Sequence, residues 1–295
     1  MIPIFNILRG LWKQKPQAWG NVSDVQSGLF HNAEQIGIDP YYIKDAIPFW
    51  ELARTGTFEL QNYGRRENPS IINNQGWVGN GLDFSTATSN YGNIGTWDGG
   101  SKVTIIAQVS RKNTLADNQG IYTADQSDDF LRTLQLRFVN NHIRFVAFVS
   151  DDAIPITGAS SIPEYEIVTV CGVNDGVYGY VYYNGVLDVS PVSTGPLDTD
   201  AAKIGIACRW DSSSTRVDYL GAIIYCLFRY DGALDPSIIA FLSDNPWQLW
   251  QPRAATFYSF EAGAAPSGWS HKIMGVEPGA VSGVDVGDID KIDGV

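Results

Sequence analysis

From about residue 102 onward, apolar residues come in short runs separated by turn-forming residues, which is the pattern of an antiparallel β-protein. Strands are predicted over residues 102–109, 131–139, 142–149, 165–173, 177–183, 186–189, 202–208 and 217–230. Tight turns are predicted where these runs meet, at Asn140-Asn141, at residues 174–176 (NDG) and at Asn184-Gly185. Short strands at this spacing predict a sandwich or a barrel.

One helix is well signalled in this half of the chain. Asp235 is a good N-cap, Pro236 fits the first helical position, and the apolar run SIIAFLS follows. Asn245-Pro246 is expected to end the helix. Residues 1–75 show no sustained period, so we expect irregular structure there, with one or two strands and a short helix around residues 47–54.

The two ends differ in composition from the middle. Residues 1–30 are interpreted as an apolar arm, because the run lacks a basic leader and a cleavage site and is too short to span a bilayer. Residues 31–262 are expected to form the sandwich. Residues 263–295 repeat Gly-Val-x-x-Gly-x-(Val/Ile) twice and hold too few large side chains for a core of their own.

We therefore expect the C-terminal segment to serve assembly or anchoring, and the chain to form a homo-oligomer. The apolar residues of the arm and the tail are the expected assembly contacts: Ile4, Phe5, Trp12, Ile273, Val276, Val281, Val284, Ile289, Ile292 and Val295.

Composition narrows the partners. The 295 residues are 44% hydrophobic and carry a net charge of −12, which argues against nucleic acid as a direct partner. Cys171, Cys208 and Cys226 lie in apolar runs without metal-site spacing, so buried, reduced thiols are expected. Folding in a reducing cytoplasm follows from that expectation, and no membrane insertion is predicted.

Residues 76–84 (GWVGNGLDF) and residues 173–190 (VNDGVYGYVYYNGVLDVS) have distinctive glycine and aromatic positions. They resemble the W-x-x-G-x-G-L-x-F strand and the central hairpin of the LamG-like family of concanavalin A-like lectins and glucanases. Further matches in the same order are residues 102–113, 203–205, 219–223 and 230–235. The resemblance implies an all-β, concanavalin A-like jelly-roll sandwich with one short helix.

A second resemblance concerns the setting of the protein. Residues 242–249 (LSDNPWQL) are similar to a segment that follows LamG-like domains in many phage and prophage proteins. Residues 11–16 (LWKQKP) and 27–30 (SGLF) resemble the starts of those proteins, and the closing KIDGV resembles repeats at the ends of phage structural proteins. These matches imply a virion part and no chemistry.

The sequence carries no complete catalytic or metal-binding pattern. A retaining glucanase of this superfamily needs closely spaced acids on one strand, and Glu164-Tyr165-Glu166 is the nearest approach without the third acid. We expect solvated edge charges there and no enzyme activity. Structural calcium could use Asp125, Asp128 and Asp129, or Asp151 and Asp152, but these acids lie in predicted loops, and no metal site and no cofactor are predicted.

Glycan binding is weakly indicated at two places. Trp97-Asp98 and Trp210-Asp211 combine an aromatic ring with a carboxylate in Gly/Ser-rich surroundings, the form of a sugar-stacking platform. Both tryptophans could equally cap the ends of the sandwich.

Two hypotheses remain. The first is a non-enzymatic bacteriophage structural protein (a capsid decoration, head fibre or tail-associated part) that contacts other virion proteins and adheres to host-surface polysaccharide. The alternative is a glycan-binding, lectin-type adhesion protein without a primary structural role.

Overall fold

The structure is a computed structural model that describes residues 38–49, 56–60, 70–74, 77–78, 81–85, 90–112, 118–126, 129–212, 214–244 and 246. These residues form nineteen strands, a short 3-10 turn at Pro40–Tyr42 and one helix, α1, at Pro236–Asp244. The strands are β1 Ile43–Pro48, β2 Gly56–Leu60, β3 Ser70–Asn74, β4 Trp77–Val78, β5 Gly81–Asp83, β6 Tyr91–Thr96, β7 Val103–Arg111, β8 Gln119–Gln126, β9 Leu131–Val139, β10 His142–Val149, β11 Asp152–Ser161, β12 Ile167–Asn174, β13 Tyr178–Tyr183, β14 Val186–Leu187, β15 Val192–Ser193, β16 Lys203–Ile206, β17 Arg209–Trp210, β18 Arg216–Val217 and β19 Ala222–Tyr230.

The strands form two sheets. Sheet 1 has the order β14-β13-β12-β7-β19-β5-β4, with β1 paired to β19 and β15 paired to β13. Sheet 2 has the order β11-β10-β9-β8-β16-β6-β3-β2, and the small β17–β18 hairpin joins it through β8. Neighbouring strands pair antiparallel except where β17 meets β8. The all-β jelly-roll sandwich with one short helix is thereby confirmed.

The main core lies between the two sheets and is formed by every second side chain of their strands. Ile105, Ala107 and Val109 of β7 face Leu136 and Phe145 of sheet 2 across this layer, all of them buried. Because successive side chains of a strand point to opposite faces, the residues between them form the outer faces of the sheets.

A second apolar cluster lies on the outer face of sheet 1. Ile239 and Leu242 of α1 pack there with Cys171, Tyr182 and other strand residues. Asp235 caps the helix as predicted, since its carboxylate accepts hydrogen bonds from the Ser237 backbone at 2.8 Å and hydroxyl at 2.6 Å. α1 therefore covers part of the outer face of sheet 1.

The predicted strands and turns are confirmed for much of the second half of the chain. β9 and β10 have the predicted bounds, and Asn140 and Asn141 between them adopt the left-handed φ values of 48° and 66° that a two-residue hairpin requires. One predicted strand, residues 217–230, is divided in the structure, because β18 ends at Val217 and β19 begins at Ala222.

The short helix expected around residues 47–54 does not begin there. Ile47 and Pro48 belong to β1, where the partner strand β19 supplies the hydrogen bonds. Residues 50–55 lie outside the described part of the chain, as do the predicted arm at 1–30 and the tail at 263–295, so those predictions stay open.

All three cysteines are buried free thiols, as expected. Burial raises the pKa of Cys208 and Cys226 to about 12 and also raises that of Cys171. Within the described residues, α1 is the one α-helix and is too short to cross a bilayer.

Candidate functional site

The outer face of sheet 2 carries polar and charged side chains, and we call it the polar face. On β9, Leu136 belongs to the core, so its neighbours Gln135 and Arg137 face outward. On β10, Phe145 belongs to the core and Arg144 faces outward. The polar face therefore combines guanidinium groups and amides on adjacent strands.

Two glycines let the chain cross this face after β16. A Cβ atom on Gly205 would lie 2.8 Å from the Cys208 carbonyl oxygen, and one on Gly120 would lie 2.7 Å from it. The Thr123 hydroxyl donates to the same carbonyl at 2.9 Å. The chain reverses at Ala207, which has φ of 59°, and the β17–β18 hairpin then covers part of the polar face.

Arg209 of β17 is the centre of the charged groups beneath this hairpin. Its Nε donates to the Asp218 carboxylate at 2.8 Å, and its Nη1 lies 3.2 Å from Asp211 and 3.8 Å from Asp125. Burial opposes the charge of Arg209, but the hydrogen bond to Asp218 and the surrounding carboxylates hold its pKa above the usual value. One guanidinium therefore engages three carboxylates.

Asp125 is the most deeply buried of these acids, with 1% of its surface exposed. It accepts a hydrogen bond from the Gln135 amide, and the Arg132 guanidinium lies 3.8 Å away. Burial nevertheless raises the pKa of Asp125, because removing the carboxylate from water outweighs the attraction of Arg209 and the other donors. Ionised Asp125 thus costs stability at neutral pH.

Arg137 and Arg144 lie beside the covered part of the polar face. They are directly opposite each other on the antiparallel strands β9 and β10, and both are half-buried. The Arg144 Nε donates to the Thr157 hydroxyl of β11 at 2.8 Å. Two positively charged side chains thus lie side by side on the same face of adjacent strands.

The structure places Trp210 beneath cations. Its ring is 4% exposed, with the Lys203 ammonium 4.7 Å and the Arg216 guanidinium 4.9 Å from the ring centroid. Tyr91 meets it edge-on at 6.3 Å, and Asp211 is paired with Arg209. Trp210 is therefore a buried ring covered by two cations, and the neighbouring Asp211 is held in an ion pair with Arg209.

Trp97 and Asp98 are occupied in a different way. The Trp97 ring is 4% exposed and lies 4.5 Å from the guanidinium of Arg229, and Asp98 accepts from the same guanidinium at 2.7 Å. Both tryptophan rings are thus buried, Trp97 in the main core and Trp210 in the β17–β18 hairpin. Their half-buried or exposed aspartates remain at the surface, and glycan binding at either position stays a prediction.

The nearest approach to a catalytic acid pattern lies at the surface of the protein. Glu164, Tyr165 and Glu166 are exposed, and Glu164 lies 3.5 Å from the Arg111 guanidinium. Among the described residues, the carboxylates on the polar face are held by Arg209, which is an arrangement of ion pairs rather than of a free acid and base.

Three aspartates could hold a cation at one edge of sheet 2. One carboxylate oxygen each of Asp151, Asp198 and Asp200 lie within 4.8 Å of one another. Asp198 also accepts from the backbone nitrogens of Ser150 and Asp151, at 2.9 and 3.0 Å, so the cluster has a structural explanation as well. An all-oxygen donor set is the kind that calcium prefers.

Of the acids considered for calcium in the sequence, only Asp151 belongs to this cluster. Asp125 lies in the Arg209 group, Asp129 accepts from the Gln126 amide at 2.8 Å, and Asp152 is exposed on β11. Asp128 lies outside the described residues, as do all the expected assembly contacts in the arm and the tail.

The sequence analysis did not single out Arg137, Arg144 or Arg209. The first two could have been found, because a two-residue turn at Asn140-Asn141 sets Arg137 opposite Arg144. Arg209 gave no such signal, since its position depends on the chain reversal at Ala207.

No protein-family model and no curated protein matches the chain. Solved structures do match: Trypanosoma rangeli sialidase in complex with the inhibitor DANA has a TM-score of 0.50 at 15% identity, covering 70% of this chain and 33% of the sialidase. A mutant of the same sialidase displaying trans-sialidase activity has a TM-score of 0.51 at 14% identity, covering 77% of this chain and 38% of that one.

A mutant of HCR/D has a TM-score of 0.51 at 11% identity and covers 70% of this chain and 51% of its own. This chain thus spans about a third of the length of the sialidases that it matches. At these identities the likeness shows a fold of the concanavalin A-like kind and nothing about activity.

Proposed function

We propose that this chain is a non-enzymatic structural part of a bacteriophage particle whose sandwich is exposed and can adhere to host-surface glycans. The observation that carries the proposal is the segment LSDNPWQL at residues 242–249, which resembles a segment that follows such sandwiches in phage proteins. The resemblances at both ends of the chain support the same setting.

The arrangement of charges supports a non-enzymatic role. Hydrolysis of a glycoside needs an acid that can donate a proton and a second carboxylate free to act on the sugar. On the polar face, Asp211 and Asp218 are both within 3.2 Å of Arg209, and Asp125 is buried beneath them. Such carboxylates stabilise a cation and present no free pair to a substrate.

The proposed partners are other virion proteins and further copies of this chain. The tail at residues 263–295 would supply the contact, through apolar positions such as Val281 and Val284. The proposed location is the virion, assembled in the cytoplasm of a bacterial host.

The direct test is the composition of the particle. Mass spectrometry of purified particles should find this chain at a fixed stoichiometry, and gold-labelled antibodies against the sandwich should decorate intact particles. Absence of the chain from purified particles would overturn the structural role.

A matched pair of full-length variants tests the role of the tail. Val281→Asp with Val284→Asp should lower both the oligomeric state in solution and incorporation into particles, because charge replaces the apolar contact. Asp285→Asn with Asp288→Asn is the control and should assemble normally. Normal assembly of the first pair would contradict the assignment of the tail.

Enzyme activity is tested separately. The purified chain should release no reducing sugar from a β-glucan, and release would overturn the non-enzymatic assignment. The alternative is an adhesion protein without a structural role, and the observation in its favour is the group of cations on the polar face. It predicts that the chain binds host cells and is missing from particles.

A further inference from the structure

Arg137 and Arg144 form a pair of cations that makes no ion pair with any other residue in the described part of the chain. Their Cα positions are directly opposite on β9 and β10, which sets Cβ atoms about 4.5–5.5 Å apart. In the described part of the chain neither guanidinium lies within 4.0 Å of a carboxylate oxygen, and the buried Nε of Arg137 has no hydrogen-bond partner. Like charges directly opposite each other destabilise a sheet.

The groups around Arg137 make its positive charge less favourable still. Burial lowers the pKa of Arg137 and the neighbouring Arg144 lowers it further, while Asp218 and Asp125 only partly offset these effects. Asp218 is itself hydrogen-bonded to Arg209. The surroundings of the Arg137–Arg144 pair therefore hold too little negative charge to balance it, although the net charge of the whole chain is −12.

We propose that Arg137 and Arg144 bind one carboxylate or sulfate group of an acidic polysaccharide. A guanidinium presents two parallel N–H donors that match the oxygens of such a group, and two opposed guanidinium groups can hold it from both sides. The half-buried side chains of Thr157 and His142, on the same face of β11 and β10, lie beside the pair and can meet sugar hydroxyls.

The chemistry of the pair favours a sugar over a nucleic acid. A nucleic acid presents a row of phosphates and needs a row of cations, whereas here two cations converge on one place. A polysaccharide with isolated anionic groups needs only one such place. The proposal names the glycan class for the adhesion in the proposed function and rests on that part of it, but it does not depend on the structural role in the particle.

The test is binding of the full-length chain to three defined polymers of similar length. These are a polyuronate with carboxylates alone, a sulfated glycan without carboxylates, and neutral dextran. We expect binding to at least one acidic polymer and none to dextran. Added salt should weaken the binding, because ions screen the attraction between the two guanidinium groups and the charges of the polymer. The polymer that binds identifies the anion.

Substitutions then locate the site. Arg137→Gln and Arg144→Gln should each weaken binding at least tenfold, and the double variant should abolish it. Lys102→Gln removes one exposed positive charge elsewhere and should leave binding unchanged. Thermal unfolding should show that Arg137→Gln is no less stable than the native chain, because the change removes repulsion.

Three results would overturn the proposal: no binding to either acidic polymer, native affinity in the double variant, or an equal loss in Lys102→Gln. Should the glutamine variants fold poorly, Arg137→Lys and Arg144→Lys replace them. Lysine keeps both charges but loses the two-pronged donor, so several-fold weaker binding is expected. Incorporation into particles is scored separately, which keeps this result distinct from the proposed structural role.

Discussion

A buried carboxylate ties the two sheets together, and its removal is the sharpest test of the fold. Asp45 of β1 and Arg229 of β19 are both 0% exposed, with the Arg229 Nε 2.9 Å from the Asp45 carboxylate. Tyr122 of sheet 2 donates its hydroxyl to the same oxygen at 2.9 Å. Although burial opposes the charge of Arg229, the nearby Tyr122, Asp45 and Asp98 raise its pKa.

Asp45→Ala should lower the free energy of unfolding by about 3–5 kcal/mol, because it leaves a buried guanidinium and a buried hydroxyl without their shared acceptor. Asp98→Ala removes the other carboxylate on Arg229, but 46% of that side chain is exposed and water can replace it. A loss of about 1 kcal/mol is expected there. Urea unfolding at neutral pH, followed by circular dichroism, measures both.

Equal losses for the two variants, or a loss under about 1 kcal/mol for Asp45→Ala, would refute the reasoning that burial sets the magnitude. Tyr122→Phe added to Asp45→Ala should cost less than the sum of the two single changes, because both act on one hydrogen bond.

Three further predictions concern the polar face and the core. Burial raises the pKa of Asp125 in the folded chain, so its contribution to stability is present below the unfolded pKa of about 4 and is lost as pH rises through the higher folded pKa. Asp125→Asn should make the melting temperature depend less on pH above about pH 4, and an unchanged slope would contradict this. Gly205→Ala should cost about 1–3 kcal/mol because its Cβ would meet the Cys208 carbonyl, whereas Gly100→Ala, whose nearest neighbour is 4.0 Å away, should be near neutral in the same unfolding assay. The three buried thiols should resist a thiol reagent at neutral pH and react in urea; labelling of the folded chain would show that one is accessible.

Local sequence patterns predicted the strands that alternate apolar and polar residues next to a short turn. β9 and β10 are joined by a two-residue turn and alternate residues of the core with residues of the opposite face, so both their bounds and their register follow from the sequence. β8 was missed, because its polar residues are buried under the β17–β18 hairpin and no alternation of exposure marks it. β11 was missed because Pro155 argues against a strand, yet β11 is an edge strand, where proline is tolerated.

The Trp-Asp pairs show where local reasoning stops. An exposed platform and a buried cap have the same two letters in the sequence, and what separates them is the group that covers the ring. For Trp97 that group is Arg229, far away in the chain, and for Trp210 it is Lys203 with Arg216. The packing of the two sheets brings Arg229 to Trp97, whereas the local β17–β18 hairpin sets Arg216 opposite Trp210.

The polar face holds several groups that lower the stability of the fold. Asp125 is buried with a raised pKa, Arg137 opposes Arg144, and the buried Nδ1 of His142 has no hydrogen-bond partner. A sheet face that only meets water needs none of these, since threonine or serine would serve there without cost. An anion between the two guanidinium groups would supply the missing counter-charge, so binding should raise the melting temperature of the native chain and leave that of Arg137→Gln unchanged. If the two chains responded alike to the acidic polymer, the repulsion between Arg137 and Arg144 would have no part in binding.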